Sequence, residues 1–262
     1  MNPFDPLNLF HLSGMGTMRN VTLTLPTATV RDLLPHGLEL GPQTMTAPGT
    51  HPVIMGFHDM FRLHTSFPSL VPSMTYHEHS VGIPYCYVTQ GAITAATPGP
   101  YFFMPILYVD NVWAALGGKL FWGYAKELAT FRAEPGQFNV TRSTGQAVLR
   151  MTYDSAGDAK PIADYPSFEL QRRAITQPLI SMVPIGVGPC FVLAGFPKKW
   201  DVATLRPLHT VTEVLTNYVT GLSSGRYPSN GSSPGIDASV TGAYELRAPF
   251  QISSPYPPFP GA

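Results

Sequence analysis

Apolar and polar residues alternate along Val21–Leu25 (VTLTL), a period of two that predicts a strand. Three longer apolar runs predict buried strands: Val53–Phe61, Tyr76–Val88 (interrupted at Gly82 and Pro84) and Tyr101–Asn111. From Ala129 the pattern becomes a meander. ATFRAE turns at Pro135-Gly136, QFNVTRS turns at Thr144-Gly145, and QAVLRMTYD ends at Ser155-Ala156-Gly157. Turns this short join antiparallel neighbours. Residues 167–184 predict one or two further strands. Cys190–Leu193 and Val202–Val219 continue the β pattern, although Leu208–Val219 also fits a helix. Residues 238–252 form the last predicted strand.

Few helices are expected. Thr27 or Thr29 caps a short one carrying Val30, Leu33 and Leu34, which Pro35 and Gly37 end. Residues 111–117 predict a single helical turn. Residues 1–16 read as an irregular lead-in, 221–236 as a Gly/Ser/Pro loop and 255–262 as an extended tail. With 28 prolines and 24 glycines punctuating the chain, short strands dominate. The expected fold is mainly β (α+β), an antiparallel barrel or curled sheet with few short helices. No internal repeat or linker divides it, so residues 1–262 are read as one domain.

Charge changes the picture by exclusion. Lys+Arg and Asp+Glu are both 16, so net charge is zero, which argues against nucleic acid or an anionic membrane as partner. Charged residues are only 12%, about half the usual share, as suits a homo-oligomer with large buried interfaces. Cys86 and Cys190 sit in apolar runs and read as buried free thiols. The N-terminus lacks a basic, then apolar, leader pattern, and no apolar run is long enough to span a bilayer. A cytoplasmic protein is expected.

The chain has five lysines, and Lys126 is the unusual one. Its neighbours are Phe121, Trp122, Tyr124, Ala125, Leu128 and Ala129. An ordinary lysine, with a pKa of about 10.4, is almost fully protonated at pH 7. Burial lowers that pKa and yields an amine able to form a Schiff base with a carbonyl. A snorkelling lysine with a wet head is the alternative.

The runs Tyr108-Val109-Asp110-Asn111, Gly118-Lys119-Leu120 and Tyr124-Ala125-Lys126-Glu127-Leu128 resemble the active-site region of the acetoacetate decarboxylase family. The resemblance extends to Leu33–Leu38, Ile54–Asp59 and Tyr76–Pro84, and in fewer residues to Ile175–Pro184. It implies a cone-shaped antiparallel β-barrel enclosing Lys126 as the Schiff-base lysine, with no cofactor. It implies Glu78, in Tyr76-His77-Glu78 ahead of Ile83-Pro84, as a second catalytic residue. Arg19, Tyr76, Trp122 and Tyr244 become substrate-binding candidates. The sequence departs from the family at three places: Ala125 replaces a proline, Glu127 replaces a second lysine, and Val53 stands where an upstream glutamate is expected. Adjacent side chains on a strand point to opposite faces, so Glu127 need not meet Lys126.

Two rival constellations compete. His77-x-His79 has a metal-ligand spacing, with His58 and His64 as further ligands. Phe196-Pro197-Lys198-Lys199-Trp200 holds the Pro-Lys-Lys tripeptide missing around Lys126, but reads as a turn with two solvated lysines. The expected function is a Schiff-base lyase acting on a keto acid, most simply decarboxylating a 3-oxo acid or a larger relative. An aldolase-dehydratase using a pyruvate-like donor and an aldehyde is one alternative. A barrel that binds an apolar carbonyl compound without turnover is the other.

Overall fold

The structure, a computed structural model, describes residues 11–65, 73–89, 99–185, 188–219, 221–228, 242–255 and 259–260. In order, the strands are β1 (Leu12–Pro26), β2 (Leu38–Leu40), β3 (Thr50–Thr65), β4 (Met74–Val88), β5 (Tyr101–Val109), β6 (Lys126–Glu134), β7 (Gln137–Arg142), β8 (Ala147–Ser155), β9 (Lys160–Pro161), β10 (Leu179–Ile185), β11 (Gly188–Ala194), β12 (Thr204–Val214), β13 (Gly225–Pro228), β14 (Gly242–Ile252) and β15 (Phe259–Pro260). Three α-helices interrupt them: α1 (Thr27–Arg31), α2 (Val112–Trp122) and α3 (Glu169–Ile175). No helix among the described residues is long and apolar enough to cross a membrane.

Nine strands close into a barrel, in the order β5-β6-β7-β8-β12-β14-β1-β3-β4 and back to β5. The meander forms as its turns require. Ala129 to Glu134 pairs with Gln137 to Arg142, which pairs with the following strand. Gly136 and Gly145 take the positive φ values, 77° and 85°, that these tight turns demand. Most pairings are antiparallel, but β5 runs parallel to both β6 and β10, so the sheet is mixed.

Period-two alternation gives these strands two buried faces. One face lines the barrel lumen, where Phe57 of β3 meets Phe138 of β7 edge to face at 5.5 Å across the interior. Val21, Met55, Tyr108, Val140 and Leu149 fill the same lumen. The opposite face of β1, β3, β4, β5 and β14 is covered by β10, β11 and residues 195–199. That last segment bonds back to β14 through Gln251 N–H to the Pro197 carbonyl (3.0 Å) and Lys199 N–H to the Pro249 carbonyl (2.9 Å). The sheet thereby curls round a second apolar interior of Met18, Ile54, Tyr76, Leu107, Trp122, Tyr124 and Phe250.

Several local expectations need correction. Thr27 opens α1 rather than capping it: Pro26 is the capping residue, no side chain bonds the helix start, and Leu33 and Leu34 lie past its end. α2 runs to Trp122 instead of stopping at 117. Asn111 caps it by accepting from Ala114 N–H at 3.0 Å, and Gly123 ends it at φ 67°. The interior Gly117-Gly118 pair weakens the helical pattern in the sequence. Residues 169–175, expected as strand, are helical. Glu169 pairs with Arg172 and Arg173 one turn on, at 2.6 and 3.0 Å. Leu208 to Val214 is strand, not helix, paired to β8. β4 runs through Gly82 and Pro84, with its register shifting there and Tyr85 at φ 58°. Cys86 is a buried free thiol, which burial pushes up to about 12. The expected irregular lead-in 1–16 is strand from Leu12 on, and the expected loop 221–236 carries strand β13 at Gly225–Pro228, paired to β12. Residues 1–10, 97–98 and 229–236, the start of the last strand, most of the tail and the Cys190 side chain lie outside the described residues.

Because Phe57, Phe138 and Tyr108 brace opposite walls of the lumen, Phe138→Ala is expected to lower stability by about 3–5 kcal/mol. Urea unfolding followed by circular dichroism measures it. A loss below about 1 kcal/mol would show that the lumen does not depend on this contact.

Candidate active site

Lys126 is the first residue of β6, directly after the turn that ends α2. Tyr124 N–H bonds the Gly118 carbonyl (3.1 Å), and Lys126 N–H bonds the Tyr124 carbonyl (2.8 Å). This folds the lysine back beneath the helix. Gly118 makes the room: a Cβ there would stand 2.6 Å from Lys126 Cδ. The Asp110-Asn111 pair serves the same corner, Asn111 by capping α2 and Asp110 by taking His77 Nδ1 at 2.7 Å.

On β4, Tyr76, Glu78 and Ser80 share one face by strand alternation, and that face meets Lys126. Lys126 Nζ donates to Glu78 Oε2 at 2.9 Å, and the two residues are only 6% and 7% exposed. The Tyr76 ring lies 5.5 Å from the same nitrogen. Behind the carboxylate, His58 Nδ1 is 3.7 Å from Glu78 Oε1, and His58 Nε2 contacts Asn20 Oδ1 at 3.3 Å. Lys126 and Glu78 thus meet as the sequence resemblance implies.

Their electrostatics reverse one expectation. Burial does push the Lys126 pKa down, but the Glu78 charge and the Tyr76 hydroxyl push it up more, and the net direction is upward. Burial likewise raises Glu78, yet the Lys126 and His58 neighbours pull it below the usual carboxylate range. The resting pair is ammonium and carboxylate. Glu78 contributes stability above the unfolded pKa of about 4.3, lost as pH falls through its lowered folded value. Lys126 contributes below about 10.4, lost as pH rises through its raised value. The pair therefore holds across the neutral range.

Two connected spaces open onto the lysine. The inner cavity, about 70 Å³, is lined by Asn20, Ile54, His58, Tyr76, Glu78, Tyr124, Lys126 and Lys198, with apolar residues between. The outer one, about 260 Å³, runs under α2 past Trp113, Leu116, Leu120 and Phe121. Tyr76, Tyr124, Lys126 and Ile252 border both. A site with this shape is apolar, with few polar groups converging at one place.

The other expected residues divide. Tyr76 is in the cavity. Trp122 is buried at the border of the outer space, its Nε1–H donating to the Ser253 carbonyl at 3.0 Å. Arg19 is not at the cavity. It sits between Met18 and Asn20 on β1, so alternation turns it into the lumen, where it meets Asp59 (2.8 Å), Glu245 (3.0 Å) and the Tyr153 ring (4.9 Å). Tyr244 lines neither space; it packs on Phe168 at 5.0 Å, in register with Asn20. Glu127 is exposed and faces away from Lys126, and Val53 points into the lumen. His77 and His79 hold other partners, and among the described residues no cluster of His, Cys, Asp and Glu suits a metal ion; His77 Nδ1 is on Asp110. His79 uses both ring nitrogens, on the Gly56 carbonyl and the Tyr218 hydroxyl, each at 2.8 Å.

The sequence reading missed two residues. Lys198 is not solvated: it is 8% exposed and shares the inner cavity with Lys126. Burial alone pulls its pKa down to about 7. Phe196 and Trp200, two positions to either side, carried the signal, since period two puts all three on one face. Tyr124, noticed as a neighbour of Lys126 and part of the motif but given no role, has a buried hydroxyl with no partner among the described residues.

A closed β-barrel thus carries a buried lysine–carboxylate pair at the meeting of two apolar spaces. A family model for acetoacetate decarboxylase matches residues 5–219, most of the chain, and the chain belongs to that family. No curated protein matches it in sequence. Solved structures share the fold at low identity. The enduracididine biosynthesis enzyme MppR complexed with pyruvate matches at TM-score 0.58 and 13% identity, over 94% of this chain and 89% of that one. Acetoacetate decarboxylase from Legionella pneumophila matches at 0.58 and 11%, over 95% and 87%. An acetoacetate decarboxylase-like enzyme from Sphingomonas wittichii RW1 matches at 0.57 and 13%, over 97% and 94%.

The buried Lys198 makes a prediction about stability. Between about pH 7 and 10.4 the unfolded chain holds one more proton at this site than the folded one. Stability therefore rises with pH through that window, by up to about 1.4 kcal/mol per pH unit. Denaturation of wild type and Lys198→Met from pH 7 to 9.5 should show that component in the first and not in the second. Parallel slopes would mean Lys198 stays charged when folded.

Proposed function

We propose that this protein is a Schiff-base lyase acting on a keto acid, with Lys126 as the amine that attacks the carbonyl. The observation that carries the reading is the 2.9 Å contact between Lys126 and Glu78, both buried where the inner and outer spaces meet. Lys126 as ammonium passes a proton to Glu78 when the carbonyl arrives. The free amine adds to the carbonyl carbon. Glu78 returns the proton to the carbinolamine hydroxyl, which leaves as water. The product is an iminium cation beside the Glu78 carboxylate, so the charge pair of the resting site is re-formed around the substrate. The iminium accepts the electron pair of a breaking carbon–carbon bond. For a 3-oxo acid that bond is the one to the carboxylate, and CO2 leaves. Protonation of the enamine and hydrolysis then free the ketone.

The apolar outer space favours a substrate with an apolar tail longer than that of acetoacetate. It also has room for an aldehyde, which keeps an aldolase-dehydratase as the second reading. There the enamine of a pyruvate-like donor attacks the aldehyde and water is lost. Tyr124, which lines both spaces and has a buried hydroxyl with no partner among the described residues, is a candidate to bond an oxygen of the substrate or of the carbinolamine. The whole chain is proposed to work as one domain.

Treatment with sodium borohydride in the presence of a panel of 3-oxo acids, pyruvate and simple ketones should leave a reduced adduct on Lys126, located by peptide mass. Lys126→Ala should give none there. No adduct with any of them would favour a barrel that binds without turnover, its lysine locked as ammonium. Glu78→Gln removes the charge that raises the Lys126 pKa. Burial then dominates, so the pH above which trapping proceeds should move down. An upward move, or none, would show that Glu78 does not set the charge of Lys126.

A further inference from the structure

We infer that Lys198 receives the carboxylate of the substrate, across the inner cavity from the imine-forming Lys126. The inference rests on the proposed keto-acid reading and adds the residue that makes the site selective for an acid over a neutral ketone. A keto acid brings one negative charge into an apolar cavity, and that charge needs a partner there. Lys126 cannot supply it, because Glu78 already neutralises it at 2.9 Å. Arg19, a substrate-binding candidate by the sequence resemblance, is held by Asp59 and Glu245 in the other interior. Among the described cavity residues Lys198 is the cationic group without a carboxylate partner.

Its surroundings fit the role. Lys198 lies on the strand-like segment that closes the second interior, bridged to Phe250. Its Nζ donates to the Ile175 carbonyl (2.9 Å) and, more weakly, to the Phe196 carbonyl (3.4 Å), and stands 4.0 Å from the Phe196 ring centre. Two carbonyls use both hydrogens of a neutral amine. The ammonium form has a third, and an arriving carboxylate is what takes it. The charged side chains on its own segment are Lys199 and Asp201, and α3, whose last residue supplies the Ile175 carbonyl, carries Glu169, Arg172 and Arg173. The Lys126–Glu78 pair and His58 share the cavity. None of these moves the Lys198 pKa, which burial alone lowers to about 7. Substrate binding is then coupled to protonation of Lys198.

Calorimetry with 3-hydroxybutanoate, a carboxylate with no ketone to trap, tests this apart from any chemistry at Lys126. Wild type should bind it, with affinity falling up to tenfold per pH unit above about 7. At pH 8, buffers of different ionisation enthalpy should reveal net proton uptake. Lys198→Met should weaken binding at least tenfold and remove the pH dependence. Borohydride trapping on Lys126 of butanone, a ketone with no carboxylate, should fall by a smaller factor than carboxylate binding does. If Lys198→Met does not fold, Lys198→Gln keeps a donor for the carbonyls, and the proton uptake needs no variant. Absence of carboxylate binding by wild type overturns the inference. So do pH-independent binding, equal losses for the carboxylate and butanone (a structural role), or a reduced adduct on Lys198 itself. Loss of trapping on Lys126 in wild type, with Lys198-dependent carboxylate binding intact, would instead overturn the role given to Lys126.

Discussion

The site depends on two opposite charges buried together. Lys126 and Glu78 have given up water for each other, and removing one partner from such a pair typically costs about 3–5 kcal/mol because the other is left uncompensated. The fold is arranged to hold them in contact. β4 presents Glu78 between Tyr76 and Ser80, while the turn after α2 returns Lys126 to the same face. Gly118 leaves the space that the lysine stem fills. A pair this tight is a poor nucleophile at rest, since its amine is protonated. It is also a proton donor and acceptor already in contact, so forming an iminium exchanges one cation for another beside the same carboxylate.

The two-faced strands explain how one sheet builds this. On β1, Met18 and Asn20 face the cavity while Arg19 faces the lumen. On β3, Ile54 and His58 face the cavity while Val53 and Phe57 face the lumen. The lumen is braced mainly by aromatic contacts and by the Arg19 ion pairs. The second interior carries Glu78, Lys126 and Lys198, and α2 forms part of its outer wall. Large apolar side chains of that helix, among them Leu120 at 75% exposed, surround the outer space and give it an apolar mouth.

Much of this was legible in the chain. VTLTL, the meander from Ala129 and the apolar runs before it define strands because period two survives any tertiary context that buries one face or both. Lys126 stood out by its aromatic neighbours, and Glu78 by its place in the motif. Arg19 was misplaced because a residue type was matched without its strand parity. Lys198 was missed because Pro-Lys-Lys reads as a turn when only nearest neighbours are counted; the apolar residues at two positions to either side were the better guide. The direction of the Lys126 pKa could not come from local sequence. Burial and the Glu78 charge oppose each other, and Glu78 arrives from 48 residues away. Helix α3 was hidden because ELQRRAI suits strand or helix, and the Glu169 pairs with Arg172 and Arg173 decide it.

The central claim is that Lys126 forms a covalent imine with a carbonyl compound. Exchange of carbonyl oxygen with water tests it most directly, because imine formation expels the ketone oxygen and hydrolysis installs one from solvent. A ketone labelled with heavy oxygen should lose its label in the presence of wild-type protein, followed by mass spectrometry. It should lose it no faster than in buffer with Lys126→Ala. Label retained with wild type, for ketones and keto acids shown to bind, would contradict the account and leave a binding barrel in its place.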